Sequence, residues 1–228
     1  MNFVGLHGFL GLPSDFDDLS REMNLSIKAP SLHDSRGLGA HLNFNDFSDQ
    51  LYSRLKDEFS SVNILGYSMG GRLALEFFSR YPQFINRLYL LSVNVFPIEN
   101  RAQRTLWDQE WVSRLSSLNF SEFLWEWNSL DIFKGSQNYD RKESEFDKKQ
   151  LALALDNWSP AKHDLNLMAF VKDSKVRVLV GEEDRKYYPL YKKLSDESFI
   201  FIPGVGHRLL LDNPHAVAKI VLEDLRNK

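Results

Sequence analysis

The chain has 228 residues, 43% hydrophobic and 26% charged, with a formal net charge of -3. That suffices for one full core and a small subdomain, and the balance gives no electrostatic reason to expect nucleic acid or an anionic membrane surface as a partner. No apolar run nears the roughly 20 residues a membrane-spanning helix needs, and the lack of cysteine excludes disulfides, thiolate metal sites and a cysteine nucleophile. Met1-Asn2-Phe3-Val4 shows no basic region followed by an apolar one, so no secretory signal is read and a cytoplasmic location is expected.

In chain order, residues 2–6 predict a short apolar strand running into the turn His7-Gly8-Phe9-Leu10-Gly11. Pro13-Ser14-Asp15 opens a short helix through Phe16, Leu19 and Met23, with Ser14 or Asp15 as its N-cap. Residues 25–29 alternate as a second strand that stops at Pro30. Residues 31–42 are rich in Ser, Gly and His without a clear period; they predict a surface loop in which His33 and His41 are solvated. Asn45-Asp46 caps a helix with Phe47, Leu51, Leu55 and Phe59 on one face.

An apolar strand over residues 61–65 then enters Gly66-Tyr67-Ser68-Met69-Gly70, and apolar residues at helical spacing follow from Arg72 to Phe78. This is the G-x-S-x-G elbow, in which a serine on a strained strand-to-helix turn presents its hydroxyl at the top of a sheet. Gly66 and Gly70 lack a Cβ, so strand and helix can approach closely. The pentapeptide alone also fits a plain strand–turn–helix junction; the flanking strand and helix favour the elbow.

Pro82 ends that helix, and residues 88–93 form a strand apolar on both faces. Such strands alternating with amphipathic helices predict a mostly parallel sheet covered on both sides. From Ile98 to Asp173 the chain is strand-poor and holds all five tryptophans: Trp107, Trp111, Trp125, Trp127 and Trp158. Residues 122–127 and 150–155 are its helical hearts, and the charged stretch 140–149 is expected to be a solvated helix face or turn. Residues 175–181 resume the sheet and end in Glu182-Glu183-Asp184. Residues 198–203 form the last strand, before Gly204-Val205-Gly206-His207 and a closing helix from Pro214 to Leu225. The expected organisation is an α/β core of residues 1–97 and 174–228, with a helical cap over 98–173.

A serine hydroxyl is a weak nucleophile that needs an adjacent base, and the base needs an orienting acid. Ser68, Asp184 and His207 stand in the order Ser, acid, His, each after a predicted strand, where sites in open parallel sheets form. Alone, Asp184 reads equally as a helix N-cap and His207 as a polar loop histidine; Glu183 is the alternative acid. The backbone N–H groups of Phe9 and Met69 would form an oxyanion hole. There is no G-x-G-x-x-G, P-loop or H-E-x-x-H string, so no nucleotide, metal or other cofactor is expected.

The chain resembles the α/β-hydrolase fold, and within it the 2-succinyl-6-hydroxy-2,4-cyclohexadiene-1-carboxylate synthase family of menaquinone biosynthesis. The resemblance spans nearly the whole chain. It rests on His7-Gly8-Phe9, residues 66–72 (G-Y-S-M-G-G-R), Arg101-Ala102-Gln103-Arg104 with Trp111-Val112, Trp127, residues 181–184 and Gly206-His207. It implies a lyase that eliminates pyruvate from an enolpyruvyl-bearing, multiply carboxylated cyclohexene, the triad removing a carbon-bound proton. Substrate carboxylates call for arginine forks. Arg72 would project near the pocket and Arg104, or else Arg101, would reach down from the cap, with Tyr67 and Trp127 lining the ring site. A further cap arginine usual in the family falls at Leu155, with Lys162, His163 or Arg141 as candidate substitutes. The alternatives are a carboxylesterase or C–C hydrolase acting through an acyl-enzyme, and a catalytically inactive hydrolase-like binding protein. The expected partner is a small carboxylated molecule, with no nucleic acid and no membrane insertion.

Overall fold

The central strands read as continuous apolar runs because both faces of the sheet are covered. The computed structural model describes residues 1–194 and 196–227. Among these, six strands form one all-parallel sheet: β1 Phe3–Leu6, β2 Ile27–Lys28, β3 Val62–Tyr67, β4 Ile85–Leu91, β5 Val176–Gly181 and β6 Phe199–Ile202, in the order β2-β1-β3-β4-β5-β6. Register follows the pleat, with Gly5 opposite Leu65, Leu65 opposite Tyr89, and Leu90 opposite Val178. Alternate residues therefore point into two separate cores. Val4, Ile64, Leu88 and Val178 pack with helices α2 (Phe44–Leu55) and α3 (Met69–Arg80). Phe3, Leu65, Tyr89 and Leu179 pack with α1 (Asp17–Met23) and α10 (Pro214–Arg226).

Between β4 and β5 run α4 (Arg101–Ser117), α5 (Phe120–Asn128), α6 (Lys148–Asn157) and α7 (Leu167–Val171). The first three share a third core of Trp111, Leu115, Phe123, Trp127, Leu151 and Leu155, closed against Leu10 from the loop after β1. Trp158, Leu167 and Val171 instead join the sheet's own core. The short helices α8 (Tyr188–Tyr191) and α9 (Leu209–Asp212) follow β5 and β6.

Three local expectations are corrected. The strand expected over residues 25–29 is only Ile27–Lys28, because at the sheet edge it pairs with β1 alone. The caps also shift: Asn43 accepts the Asp46 N–H at 2.9 Å and starts α2 two residues earlier than read, while Asp15 sits inside a 3-10 turn, Pro13–Phe16, where its Oδ2 accepts the Leu12 N–H. The segment 31–42 is irregular, but it is no solvated loop. Leu32, Leu38 and Ala40 are buried, and so is His33, whereas His41 is exposed. The cause is α6 lying over the loop: Gln150 accepts the Ala40 N–H at 3.0 Å, and Asn157 and Trp158 donate to Ala40 O and Leu42 O.

Candidate active site

The sheet order reverses between β1 and β3, since the chain steps outward to β2 before crossing back. Loops leaving strands at such a point diverge and open a crevice at the carboxyl ends. The loop after β1 carries Phe9, and the turn after β3 is Ser68 alone. Tyr67 ends the strand and Met69 begins α3, so the serine absorbs the whole change of direction. Its backbone sits at φ 51°, ψ -110°, a conformation costing on the order of 1–3 kcal/mol for a side-chain-bearing residue. The turn closes because Gly70 and Gly71 follow. A Cβ on Gly70 would meet Leu6 O at 2.1 Å, and one on Gly71 would meet Val93 Cγ2 at 2.0 Å.

The loops after β5 and β6 are tied together, the Glu183 N–H donating to Val205 O at 2.9 Å. Asp184, fully buried, uses its two oxygens separately. Oδ1 accepts the N–H groups of Lys186 and Tyr187, capping the turn into α8. Oδ2 lies 2.7 Å from His207 Nδ1. The residue is not the N-cap of α8, which is Tyr187; its carboxylate holds the turn before that helix with one oxygen and contacts the imidazole with the other. A carboxylate at Nδ1 fixes the proton there, so His207 Nε2 is left to accept from Ser68 Oγ, 3.3 Å away. Glu183 is exposed and makes no contact with the imidazole. The N–H groups of Phe9 and Met69 donate to no backbone acceptor among the described residues.

His7 and His33 meet behind this loop with ring centroids 5.1 Å apart and planes tilted by 52°. Leu32 N–H donates to His7 Nε2 at 3.0 Å, which puts the His7 proton on Nδ1, where it donates to Gly8 O at 2.9 Å. Burial holds the His7 imidazole down at about 4, and burial together with His7 keeps His33 well below the ordinary range. Both rings are neutral props for the Gly8-Phe9 turn. No group of His, Asp or Glu among the described residues is arranged to hold a metal ion.

Ser68 opens onto a cavity of about 40 Å³ with an aromatic wall of Phe9, Tyr67, Trp127 and Phe133. Its polar wall carries Tyr139, Arg141 and Arg208. Tyr67 and Trp127 both stand in the cavity wall. Arg72 and Arg104 do not line this cavity. Arg72 donates to Trp158 O at 2.8 Å and faces a neighbouring cavity that also holds Asn94 and His163. Arg104 is gripped by Asp108, Nη2 to Oδ1 at 2.7 Å, and lies over the Trp107 ring. The two guanidinium groups still feel each other: burial first, and then Arg104, lower Arg72 to about 10. Arg101 pairs with exposed Asp164.

The position of Leu155 is buried cap core. Of its candidate substitutes, Lys162 pairs with Asp156 on the surface, and His163 bonds Glu76 and stacks on Phe44. Arg141 lines the cavity instead of lying on a solvated face. Its guanidinium is buried against Asp15 and donates to Leu10 O at 2.9 Å. In the sequence only its adjacency to His207 marks Arg208, which no motif singles out.

A sequence model described as "Alpha/beta hydrolase family" matches residues 3–220. The chain is 26% identical to 2-succinyl-6-hydroxy-2,4-cyclohexadiene-1-carboxylate synthase of Enterobacter sp. (strain 638), over 98% of this chain and 91% of that protein. It is also 26% identical to the putative synthase of the same name from Bacillus subtilis (strain 168), over 77% of this chain and 69% of the relative. Among solved structures, MenH from S. aureus superposes with a TM-score of 0.82 at 22% identity, covering 100% of this chain and 94% of that one. A thermophilic esterase from Thermogutta terrifontis superposes at 0.67 with 17% identity, covering 100% and 90%.

Proposed function

Since the chain belongs to the alpha/beta hydrolase family, we propose that it is a lyase using Ser68, His207 and Asp184 to eliminate pyruvate from 2-succinyl-5-enolpyruvyl-6-hydroxy-3-cyclohexene-1-carboxylate, giving 2-succinyl-6-hydroxy-2,4-cyclohexadiene-1-carboxylate. The observation that carries the reading is the hydrogen-bonded line from Asp184 through His207 to Ser68, which ends in the wall of a cavity that also carries Arg208. The names of relatives matched over more than nine-tenths of their length give the product, and the family resemblance implies the enolpyruvyl substrate. The helical segment between β4 and β5 serves as a cap over the cavity, and the reaction needs no cofactor.

In this reading Ser68 Oγ gives its proton to His207 Nε2 and takes the ring proton. The electron pair of that C–H bond shifts through the ring double bond and expels the enolpyruvyl oxygen. His207 returns its proton to the departing enolate, which becomes pyruvate. Asp184 stabilises the imidazolium formed midway. The N–H groups of Phe9 and Met69 face the oxygen on which charge grows. Tyr67 and Trp127 hold the ring, and Arg72, outside this cavity, adds positive potential, while Arg104 is neutralised by Asp108.

The test follows pyruvate release from the enolpyruvyl substrate beside hydrolysis of a short p-nitrophenyl ester. Wild type is expected to release pyruvate with negligible ester cleavage, and Ser68→Ala to lose about 10³-fold or more in kcat. Ester cleavage without pyruvate release overturns the lyase in favour of an acyl-enzyme hydrolase. Neither activity leaves a binding protein.

A further inference from the structure

Arg208 is 4% exposed, yet no carboxylate among the described residues forms an ion pair with it. Its Nη1 donates to Gln137 O at 2.8 Å and to Asn138 Oδ1, and Nη2 donates to Asn128 Oδ1. All three acceptors are neutral amide oxygens. Asp212 acts on Arg208 through space, but its own oxygens accept the N–H groups of Gln137 and Gly206. Of the five guanidinium donors, Nε–H and one Nη2–H have no acceptor among the described residues. Unlike Arg72 Nε, Arg208 Nε is not sealed from solvent, and the side chain lines the cavity that Ser68 opens onto. Phe133 lies under the guanidinium, its ring centre 4.0 Å from the central carbon.

A buried cation whose hydrogen bonds all go to neutral dipoles is costly unless an anion completes it. Arg141, on the same wall, is already neutralised by Asp15. Arg208 is not, and Tyr139 beside it carries a hydroxyl with no hydrogen-bond partner among the described residues. We propose that Arg208, assisted by the Tyr139 hydroxyl, forms a carboxylate-binding subsite beside Ser68 that fixes which end of an acidic substrate enters the cavity. A planar guanidinium with free N–H donors matches a carboxylate in shape as well as charge. The subsite rests on the reading above only for the identity of the molecule that brings the carboxylate.

The experiment has two arms. In the first, succinate and its neutral isostere succinamide are titrated into wild type, Arg208→Gln, Arg208→Lys and Asn138→Ala, following tryptophan emission. Succinate is expected to bind wild type and succinamide not. Arg208→Gln weakens succinate at least tenfold, Arg208→Lys weakens it less, and Asn138→Ala stays within about twofold. In the second arm, KM for the enolpyruvyl substrate rises at least tenfold in Arg208→Gln with kcat within a few-fold, and the change shrinks at high salt.

If wild type binds no succinate, or if Arg208→Gln alters neither its affinity nor KM, the subsite is wrong. Equal losses in Asn138→Ala and Arg208→Gln also overturn it, since Arg208 would then be a strut for the 137–138 turn. Failure of the lyase reading abolishes only the second arm, so succinate binding that depends on Arg208 stands without it.

Discussion

At Asp184 one carboxylate oxygen holds a turn and the other holds an imidazole, so a single isosteric change separates structure from chemistry. In Asp184→Asn the amide oxygen can still cap the N–H groups of Lys186 and Tyr187, while its NH₂ faces His207 Nδ1 and forces the proton to Nε2, the nitrogen that must accept from Ser68. The variant is expected to fold with a near-wild-type melting point and lose about 10³–10⁴ in kcat, read by pyruvate release and thermal melting. A matching loss of stability would mean that Asp184 is chiefly a cap. His7 makes the complementary case. Its folded value is depressed to about 4 against 6.5 in the open chain, so the unfolded chain binds the extra proton between those values. Stability is therefore intact above pH 6.5 and falls as pH drops toward 4, by about 3 kcal/mol from this residue. Urea midpoints at pH 7 and pH 4.5 read the decline, which His7→Gln should flatten; a pH-independent wild-type midpoint would show that the ring is not held neutral.

The element that governs the site is the strand–turn–helix unit of β3 and α3, whose position depends on contacts too close for any side chain at Gly71. Alanine there is expected to destabilise by several kcal/mol through Val93, in the range known for overpacked cores and strained turns. Val93→Ala makes room, so the double variant should recover about 1–3 kcal/mol relative to the sum of the two single changes, measured as a double-mutant cycle in urea. Strict additivity would place the strain elsewhere. This unit was also the most legible part of the sequence, because apolar runs, glycines and a lone serine are local signals. The order Ser68, Asp184, His207 was legible for the same reason, each residue following a readable strand. What stayed hidden was set by distant partners. His33 is buried because α6, more than a hundred residues later, supplies the hydrogen bonds of its loop. Arg141 sits in a charged stretch that resembles solvated surface, and Asp15 and Leu10 O, 126 and 131 positions away, draw it inward. Arg72 follows the elbow at the expected spacing, yet Trp158 O turns it into the neighbouring cavity.

Across the whole molecule, the helices between β4 and β5 meet the sheet through two arginines running in opposite directions. Arg141 reaches from the helical segment to Asp15 and Leu10 O, and Arg208 reaches from the sheet's last loop to Asn128 and residues 137–138. The cavity they flank has room for roughly three waters at 40 Å³, far less than a ring bearing three carboxylates occupies. Substrate entry on the proposed function thus requires these latches to give while the sheet stays fixed. The Arg141–Asp15 pair is nearly sealed from water, with side-chain exposures of 7% and 2%, so removing one charge strands the other. Asp15→Asn should cost about 3–5 kcal/mol if the pair breaks globally. Because α4, α5 and α6 have a core of their own, however, the loss is expected to appear first as local opening. Hydrogen exchange resolved by peptide distinguishes the two. Peptides from residues 101–157 of Asp15→Asn should exchange faster than wild type, those of β3 and β5 should be unchanged, and substrate should slow the former again. Equal acceleration in the sheet would make the ion pair a support of the whole fold, and the 40 Å³ cavity would then need another route of entry.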